Sequence, residues 1–360
     1  MTNSVRFGIV GSGMMGREHI RNLLLFPQAE IVALSDPTPA SLASAAAEAT
    51  GQTPRLFDSP QAMLAAGGLD AVIVASPNYT HRQVLEPLFE AGVNILCEKP
   101  LCTTLEDARW AAARAASHKA VFWTGMEYRF MPPAAAFIDQ VKAGRVGRLV
   151  MLSIREHRFP FLEKVGDWNR FSRNTGGTMV EKCCHFFDLM RLIVGAEPVR
   201  VYCSGAMDVN HLDERYGDET PDILDNSYTV VDFAGGQRAM LDLNMFADGA
   251  RNQEELAAVG DLARLEALIP DSDLVYSPRV GYRQPKQVET THVAVDQAAL
   301  DAGSHHGATY YQLDAFLRAV AGQGPVMVTA EDGLRAVAMG AAAELSAREK
   351  RVVEMAEFGL

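Results

Sequence analysis

An adjacent pair of opposite charges at the end of an apolar run is the first feature of this sequence that suggests chemistry. In the stretch NILCEKPL, a run typical of a buried strand stops at Glu98 and Lys99, and Pro100 then restricts the backbone. A solvated loop is the simplest explanation. Ligands of parallel sheets, however, bind outside the carboxyl ends of the strands. Because this stretch ends a strand that we predict to be parallel, we expect Lys99 to lie at a ligand site.

Three glycines near the N-terminus match the fingerprint of a dinucleotide-binding turn. Gly11, Gly13 and Gly16 spell G-x-G-x-x-G between the first predicted strand and the first predicted helix, and Asp36 ends the second strand twenty residues after Gly16. The glycines would let a pyrophosphate approach the helix N-terminus, and Asp36 would accept hydrogen bonds from ribose hydroxyls. Because Asp36 would repel a 2′-phosphate, the sequence favours NAD over NADP. A glycine turn needed only for packing is the alternative.

Small polar residues follow the fourth predicted strand, in SPNYTH. Backbone and side-chain groups between Ser76 and His81 could meet the ribose on the nicotinamide side of the cofactor. An ordinary helix start with Thr80 as N-cap is an equally simple explanation.

A narrow polar stripe lies on the helix predicted from TMVEKCCHFFDLMRLIVG. At 100° per residue, His185 lies about 40° from Glu181, and Asp188 lies about 20° to the other side. Buried ionisable groups are costly without partners, so the stripe suggests a site, with a salt-bridged face between domains as the alternative. An acid and a histidine one turn apart could also chelate a metal. The sequence places no third ligand and puts Lys182 beside them, so we predict no metal.

Two residues of the second predicted domain are further candidates for lining a pocket. Trp168 offers a flat apolar face suited to a sugar ring or a nicotinamide, and Arg158 lies in the stretch REHRFP. Packing at an interface would explain both equally well. His305 is predicted to lie in a loop near the site, and the polar insertion 207–220 is predicted to be a lid or a subunit contact.

Strands and helices alternate over about the first 125 residues. Strands that are apolar on both faces and separated by helices are typical of a parallel sheet with helices on each side. We therefore predict a doubly wound, Rossmann-type dinucleotide-binding domain over residues 1–127. Its six predicted strands are VRFGIVG, EIVALSD, PRLFDS, DAVIVAS, VNILCEKP and AVFWTG.

The pattern changes after Arg129. GRLVMLSIREHRF predicts a long strand, and hairpins are predicted about Gly235–Gly236 and Gly260–Asp261. Two helices, at about 306–321 and 330–347, end the chain. This predicts an α+β domain over 128–360 with a largely antiparallel open sheet, and an α/β fold class overall.

Size, charge and cysteine content limit the class of protein. A chain of 360 residues exceeds the usual size of a single core, and a net charge of -12 argues against nucleic acid or an anionic membrane as a partner. The N-terminus lacks a leader pattern, and no stretch reaches about 18 uninterrupted apolar residues, so we expect a cytoplasmic protein. Five cysteines without a C-x-x-C pair predict reduced thiols.

Six motifs spread over nearly the whole chain resemble the glucose–fructose oxidoreductase / inositol dehydrogenase / rhizopine-catabolism (Gfo/Idh/MocA) family. They are GIVGSGMMG, SPNYTH, CEKPL, EYRFMPP, GGTMVEKCCHFFDLMR and AEDGLRAVAMGAAAELSA. The resemblance implies that Lys99 lies between the nicotinamide and the substrate hydroxyl, with Glu98 near the cofactor. It implies that His185 exchanges the hydroxyl proton. The family usually has Asp where this chain has Glu181, one methylene longer, and the consequence for substrate geometry stays open.

The residues and the resemblance together predict three sets of site residues. The candidate catalytic residues are Lys99, His185 and Glu181. The candidate cofactor-binding residues are Gly11, Gly13, Met14, Met15, Gly16, Asp36, Ser76, Asn78, His81, Glu98, Lys99 and Arg129. The candidate substrate-binding residues are Lys99, Arg158, Trp168, Glu181 and His185.

The resulting prediction is an NAD-dependent oxidoreductase that acts on a secondary hydroxyl of a sugar, a polyol or an inositol-like substrate. His185 would accept the hydroxyl proton while Lys99 polarises the oxygen and a hydride leaves for the nicotinamide. An NAD-dependent glycosidase with transient oxidation, or a non-catalytic NAD-binding sensor, are the alternatives. The glycosidase would show no net NADH, and the sensor has no need of both side chains. An open sheet must cover its outer face, which predicts a homodimer or homotetramer through the C-terminal sheet.

Overall fold

The structure is a computed structural model that describes residues 4–360. Its strands, in chain order, are β1 (Val5–Val10), β2 (Ala29–Ser35), β3 (Arg55–Phe57), β4 (Ala71–Val74), β5 (Asn94–Glu98), β6 (Phe122–Gly125), β7 (Leu149–His157), β8 (Pro198–Ala206), β9 (Asn226–Phe233), β10 (Arg238–Asn244), β11 (Glu254–Gly260), β12 (Ala263–Ile269), β13 (Asp273–Pro278), β14 (Glu289–His292) and β15 (Val353–Glu354). Its α-helices are α1 (Met14–Leu23), α2 (Pro39–Glu48), α3 (Pro60–Ala65), α4 (His81–Ala91), α5 (Leu105–Ser117), α6 (Pro132–Lys142), α7 (Ser172–Thr175), α8 (Thr178–Glu181), α9 (Cys184–Val194), α10 (Gln297–Ala302), α11 (Ala308–Val320) and α12 (Ala330–Glu349). Short 3-10 turns cover Asn78–Thr80, Glu127–Phe130, Val165–Arg170 and Met355–Phe358.

The chain divides into two compact units. The first unit joins the chain up to Phe130 with the later segment Asp296–Val337, and the second joins Met131–Val295 with Ala338–Leu360. The chain first passes from one unit to the other after Phe130, close to the predicted boundary at 127. The return of 296–337 to the first unit is a feature that local sequence patterns did not indicate. The predicted roles of 1–127 and 128–360 stay predictions.

The sheet of the first unit is parallel throughout, with strand order β3-β2-β1-β4-β5-β6. The order reverses between β1 and β4, so the loops that follow these two strands leave the same edge at the switch point where open α/β sheets bind ligands. Local capping starts the helices where the sequence predicts. Ser59 accepts a hydrogen bond from Ala62 N–H ahead of Pro60, and Thr104 accepts one from Asp107 N–H.

Aromatic packing holds the returning segment to the first unit. Phe316 of α11 is fully buried, and its ring centroid lies 6.3 Å from that of Phe7 on β1 and 6.1 Å from that of Trp123 on β6. Three large side chains separated by up to about 300 residues thus share one core, and burial of each stabilises the unit by about 2–3 kcal/mol.

The sheet of the second unit has nine strands in the order β14-β13-β12-β11-β7-β10-β9-β8-β15. Its β7–β10 pair is parallel and its remaining pairs are antiparallel, so the prediction of a largely antiparallel sheet is confirmed. The two predicted hairpins are present as β9–β10 and β11–β12.

The prediction of one continuous helix through TMVEKCCHFFDLMRLIVG is wrong. Helix α8 ends at Glu181, and α9 begins at Cys184. The amide N–H groups of Lys182 and Cys183 both donate to the carbonyl of Thr178, at 2.9 and 3.1 Å, so the regular ladder is interrupted at Cys183. The angular relation between Glu181 and His185 that a single helix implies therefore does not hold.

All five cysteines are free and buried, in agreement with the prediction of reduced thiols. Among residues 4–360, no helix combines the length and the apolar character that crossing a membrane requires.

Candidate functional site

The three fingerprint glycines lie in different surroundings, and the structural reason for a glycine differs among them. Gly11 has a φ of +93°, and a Cβ there would lie 2.4 Å from the carbonyl oxygen of Ala75. A Cβ at Gly16 would lie 1.9 Å from the carbonyl oxygen of Gly11, so this glycine lets α1 start close to β1. At Gly13 no atom of residues 4–360, beyond the chain neighbours, lies within 4 Å of an added Cβ. Close backbone contacts within the unit exclude a side chain at Gly11 and at Gly16. Gly13 has no such contact, so the space in front of its backbone is available to a ligand.

The N-terminus of α1 is suited to an anion. Gly13 is its N-cap and supplies no side chain that could accept from the first-turn N–H groups, and the first turn contains no acidic residue. These N–H groups and the helix dipole favour a negatively charged group such as a pyrophosphate. The residues present therefore fit a dinucleotide here, and Met14, in the same turn, is partly exposed.

Asp36 is fixed against the glycine turn at the end of β2. Its Oδ2 accepts a hydrogen bond of 2.8 Å from Ser12 N–H, and its Oδ1 accepts one of 2.8 Å from Thr38 N–H. A carboxylate oxygen has two lone pairs, so both oxygens retain capacity for a ribose hydroxyl. The predicted role of Asp36 stays compatible with this geometry.

The loop after β4 contains a hydroxyl pair and an amide. Ser76 Oγ and Thr80 Oγ1 are 2.7 Å apart, and Thr80 Oγ1 donates to the carbonyl of Pro77 at 2.7 Å. Thr80 is the N-cap of α4, but its side chain makes no capping hydrogen bond. Asn78 is buried, and its Nδ2 has no hydrogen-bond partner among the described residues. An orphaned amide N–H beside the glycine loop is a donor that a ligand could use.

His81 ties this loop to the end of β5. Its ring is fully buried, with Nδ1 2.9 Å from the carbonyl oxygen of Pro100 and Nε2 3.2 Å from that of Ser76. Burial lowers the pKa of His81, so the neutral ring is favoured and one nitrogen carries the proton. The ring therefore joins the loop after β4 to the backbone that follows Lys99. The predicted contact of His81 with the cofactor stays a prediction.

Glu98 is held by a buried histidine of α1. Its Oε1 lies 2.7 Å from Nε2 of His19, and both side chains are buried. Burial raises the pKa of Glu98, but the hydrogen bond and charge of His19 outweigh it and the net shift is downward. Burial lowers the pKa of His19, but Glu98 outweighs it and the net shift is upward. The pair is therefore ionic, and it connects the helix after the glycine turn to the residue before Lys99.

Lys99 follows β5 directly and is half-buried. Its backbone N–H donates to Oε2 of Glu98 at 3.2 Å, and the Lys99–Pro100 peptide bond is cis. The lysine thus stands at the carboxyl edge of the parallel sheet, between two backbone positions that buried side chains hold in place.

A second buried cluster of the first unit was not indicated by the sequence. Glu18 Oε1 accepts from Nδ1 of His305 at 2.8 Å and from the hydroxyl of Thr309 at 2.9 Å, and Thr309 Oγ1 lies 2.7 Å from Oε2 of Glu127. These residues come from α1, the turn after β6 and the start of α11. Glu18, Glu127 and His305 offer ligand atoms within 4.8 Å of one another, but internal hydrogen bonds account for the arrangement. The prediction of no metal stays a prediction.

The protonation states in this cluster follow from its hydrogen bonds. Burial raises the pKa of Glu18, but His305 and Thr309 outweigh it and lower the pKa to about 2. Burial raises the pKa of Glu127. Because one hydroxyl has one proton, Thr309 can donate to only one of the two carboxyl groups at a time.

Arg129 lies in the turn after β6 and is buried. Its Nη1 donates to the carbonyl of Met327 at 2.7 Å, and its Nη2 lies 3.5 Å from Oδ1 of Asp332. The guanidinium thereby joins the turn after β6 to the returning segment of the first unit. A contact of Arg129 with the cofactor stays a prediction.

The second unit carries the predicted proton acceptor. Glu181 is the last residue of α8, and His185 lies in the first turn of α9 with Asp188 three residues on, so these two share a helix face. All three side chains are buried. The predicted meeting of His185 with Lys99 joins residues of different units and stays a prediction.

The two lesser candidates lie in the second unit as well. The guanidinium of Arg158 stacks 4.4 Å from the ring centroid of Phe159, and its Nη1 lies 3.5 Å from Oε1 of Glu156. Trp168 is partly exposed in the 3-10 segment, and its carbonyl accepts from Asn174 at 2.9 Å. Their roles in substrate binding stay predictions.

Comparison with protein families decides what kind of protein this is. The model described as "Oxidoreductase family, NAD-binding Rossmann fold" matches residues 5–126, and the one described as "Oxidoreductase family, C-terminal alpha/beta domain" matches residues 138–355. The chain belongs to the Gfo/Idh/MocA oxidoreductase family. The predicted family, the Rossmann-type first domain and the α/β fold class are confirmed.

Relatives in this family match the chain from end to end. The inositol 2-dehydrogenase of Rhizobium meliloti (strain 1021) is 28% identical over 98% of this chain and 100% of that protein. The myo-inositol 2-dehydrogenase of Thermotoga maritima is 26% identical over 98% of this chain and 99% of that protein. A solved structure of levoglucosan dehydrogenase in complex with NADH has the same fold, with a TM-score of 0.85 at 19% identity over 98% of this chain and 99% of that one.

Membership of this family confirms that the chain is an oxidoreductase with an NAD-binding fold. The glycosidase and sensor alternatives are favoured by neither of the two relatives named here, both of which are dehydrogenases.

Proposed function

We propose that this protein is an NAD-dependent dehydrogenase that oxidises a secondary hydroxyl of an inositol, a related polyol or a sugar. The observation that carries the proposal is the position of Lys99 at the carboxyl edge of the same parallel sheet whose glycine turn is open at Gly13. The names of the two full-length relatives, both inositol dehydrogenases, support an inositol-like substrate.

We propose NAD rather than NADP as the cofactor. Asp36 is held beside the glycine turn by two backbone N–H groups, so its carboxylate is fixed where the adenosine ribose would lie. A fixed negative charge there accepts hydrogen bonds from ribose hydroxyls and repels a 2′-phosphate. The orphaned Nδ2 of Asn78 would donate to a polar group on the nicotinamide side.

The residues of the chain have separate tasks in this proposal. NAD, when bound, supplies the hydride acceptor. Lys99 donates a hydrogen bond to the substrate hydroxyl oxygen and holds the reacting carbon in place, and His185 accepts the hydroxyl proton. Glu181 accepts hydrogen bonds from neighbouring hydroxyls. His81 and the Glu98–His19 pair position Lys99, because they hold the backbone on either side of it.

The test is turnover with a panel of inositols, polyols and aldoses, each with NAD and NADP, followed at the NADH absorbance band. We expect net reduction of NAD with at least one inositol or polyol. Lys99→Ala should lose turnover by about 100-fold or more while it retains NAD binding. Lys119→Ala is the matched control, because Lys119 is an exposed lysine that precedes β6 at the opposite edge of the same sheet. Equal turnover of the two variants would end the assignment of Lys99, and cleavage of a glycoside without net NADH would favour the glycosidase.

We further propose that the protein forms a homodimer or homotetramer through the sheet of the second unit. Tyr202, Val230 and Met240 are register neighbours on β8, β9 and β10, and all three are exposed large side chains. An apolar row of this kind is typical of a surface that another subunit covers. Light scattering after size exclusion should give two or four chains for the wild type and fewer for Val230→Lys. A monomeric wild type would contradict the proposal.

The acidic charge and the free cysteines support a cytoplasmic location.

A further inference from the structure

A buried lysine stands between the two proposed catalytic residues of the second unit. Lys182 follows Glu181 at the end of α8 and precedes His185 by three residues. Its side chain is 5% exposed, and its Nζ lies 2.8 Å from Oε1 of Glu156, whose side chain is fully buried. A lysine on the surface would be solvated by water and would need no such partner. The charge of Lys182 is instead compensated inside the unit.

The partner of Lys182 belongs to a rigid element. Glu156 is on β7, which pairs with β10 on one side and with β11 on the other. The ion pair therefore joins the α8–α9 break, where the local helical ladder is interrupted, to the middle of a nine-stranded sheet. Nζ of Lys182 also lies 5.5 Å from the ring centroid of Phe186 in the first turn of α9, so the same side chain contacts both β7 and α9.

Two more ionisable groups surround the pair. Arg158 places Nη1 3.5 Å from the same oxygen of Glu156, and Glu254 is the cross-strand neighbour of Glu156 on β11. Burial raises the pKa of Glu254 to about 7, and the charge of Glu156 adds to the effect. Below that pH Glu254 is neutral, which leaves Glu156 as the carboxylate that faces Lys182. Removing either partner would leave a buried charge without the counterion that this pair supplies.

We propose that the Glu156–Lys182 ion pair positions Glu181 and His185 for catalysis. It holds the break between α8 and α9 in one conformation, and this fixes the direction in which each proposed catalytic side chain projects. Neither residue contacts the substrate in this proposal; both are positioning residues. The inference rests on the proposed function of Glu181 and His185 and deepens it.

The experiment compares three variants of the full chain. Lys182→Met removes the ammonium at similar volume, and Lys182→Met/Glu156→Gln removes the pair while the sum of its charges stays as in the wild type. Arg191→Met is the matched control, because Arg191 is on α9 and forms a more exposed ion pair, 2.7 Å between Arg191 and Glu197. Thermal unfolding, the Kd for NAD, kcat and KM are measured for each.

We expect the double variant to recover the stability of the wild type but not its turnover. Lys182→Met should lose stability, and the double variant should recover it, because a neutral buried pair is often as stable as an ionic one. Both should retain the wild-type Kd for NAD and lose kcat by about 10- to 100-fold, since displacement of catalytic groups by about 1 Å costs that much. Arg191→Met should match the wild type. A double variant with wild-type kcat would overturn the proposal and leave a purely structural ion pair.

A second measurement does not depend on turnover. The ring of His185 is titrated by NMR in the wild type and in both variants. A persistent change in its titration midpoint in the double variant, where the pair contributes no net charge, supports positioning. A midpoint equal to that of the wild type overturns it. If the wild type itself turns over no substrate of the panel, the proposed function fails, and the titration still decides whether the pair fixes His185.

Discussion

Replacement of Gly13 by alanine tests whether a dinucleotide approaches this backbone. The added methyl group meets no atom of the described residues beyond the chain neighbours within 4 Å, and the φ of -74° suits any residue. The folded chain therefore has room for the methyl group. With a pyrophosphate bound against the N-terminus of α1, the same methyl group would collide with the phosphate oxygens.

The expected effect on stability is close to zero. Alanine reduces the entropy of the unfolded chain, which stabilises a protein by about 0.4–1 kcal/mol at a compatible position. Alanine is also a poorer N-cap than glycine, which costs a similar amount. We expect the two effects to cancel to within about 0.5 kcal/mol, equivalent to about 2 °C in Tm for a unit of this size.

The expected effect on NAD binding is large. Loss of one charge-assisted hydrogen bond between a backbone N–H and a phosphate oxygen costs about 1.5–3 kcal/mol, a factor of about 10–150 in Kd. At an NAD concentration of about 100 times the wild-type Kd, bound cofactor stabilises the wild type by about 2.7 kcal/mol. A variant that binds 100-fold more weakly gains about 0.4 kcal/mol at the same concentration.

The assay is thermal unfolding of wild type and Gly13→Ala with and without NAD, supported by calorimetric titration. Gly16→Ala is the comparison variant, because its Cβ would lie 1.9 Å from a backbone carbonyl oxygen and should destabilise the fold itself by about 3 kcal/mol. Equal NAD affinity of Gly13→Ala and wild type would refute the reasoning, because the open space at Gly13 would then have another explanation.

Three further predictions follow from buried charges and from Asp36. Asp36→Ala should reduce the preference for NAD over NADP by about 10-fold or more, measured as a ratio of kcat/KM values, and an unchanged ratio would contradict the role of its carboxylate. His19→Leu should destabilise the first unit by about 3–5 kcal/mol in urea unfolding, because it leaves the buried carboxylate of Glu98 uncompensated, and His19→Leu/Glu98→Met should recover most of the loss. Glu254→Gln should stabilise the protein at high pH. Because burial raises the pKa of Glu254 to about 7, the folded state retains a proton that the unfolded state releases above about pH 4.5, so stability falls as the pH rises through this window. The gain should be near zero at pH 4 and on the order of 3 kcal/mol at pH 8, and an equal gain at both values would contradict the assignment.

Features set by local backbone geometry were predictable from the sequence. The glycine spacing, the acidic end of β2, the caps at Ser59 and Thr104 and both hairpin turns each involve residues within a few positions of one another. Steric limits on the backbone and short-range hydrogen bonds decide these structures, and the residue types report them directly. The position of Lys99 followed from the same kind of reasoning, because a parallel strand fixes where its carboxyl end lies.

Contacts between distant segments were not predictable. Glu18 and His305 are separated by 287 residues, and although His305 was predicted to lie in a loop near the site, its contact with Glu18 depends on the return of 296–337 to the first unit. His81 was predicted to bind the cofactor from the position of its loop, and the contacts of its ring with Pro100 and Ser76, which join two loops, were not predicted. In both cases the side chain joins segments that are distant in sequence but adjacent in the first unit.

The helix break at Lys182 shows why spacing alone was an unreliable guide to Glu181 and His185. Their predicted alignment assumed that a sequence of good helix formers continues as one helix, which is a local argument. The ion pair with Glu156 is a contact across 26 residues of chain, which the spacing of Glu181 and His185 does not indicate. A local pattern therefore does not fix the backbone between these two residues. The residue between two catalytic candidates can therefore be as informative as the candidates themselves, because in our proposal its side chain fixes the geometry that their spacing was assumed to give.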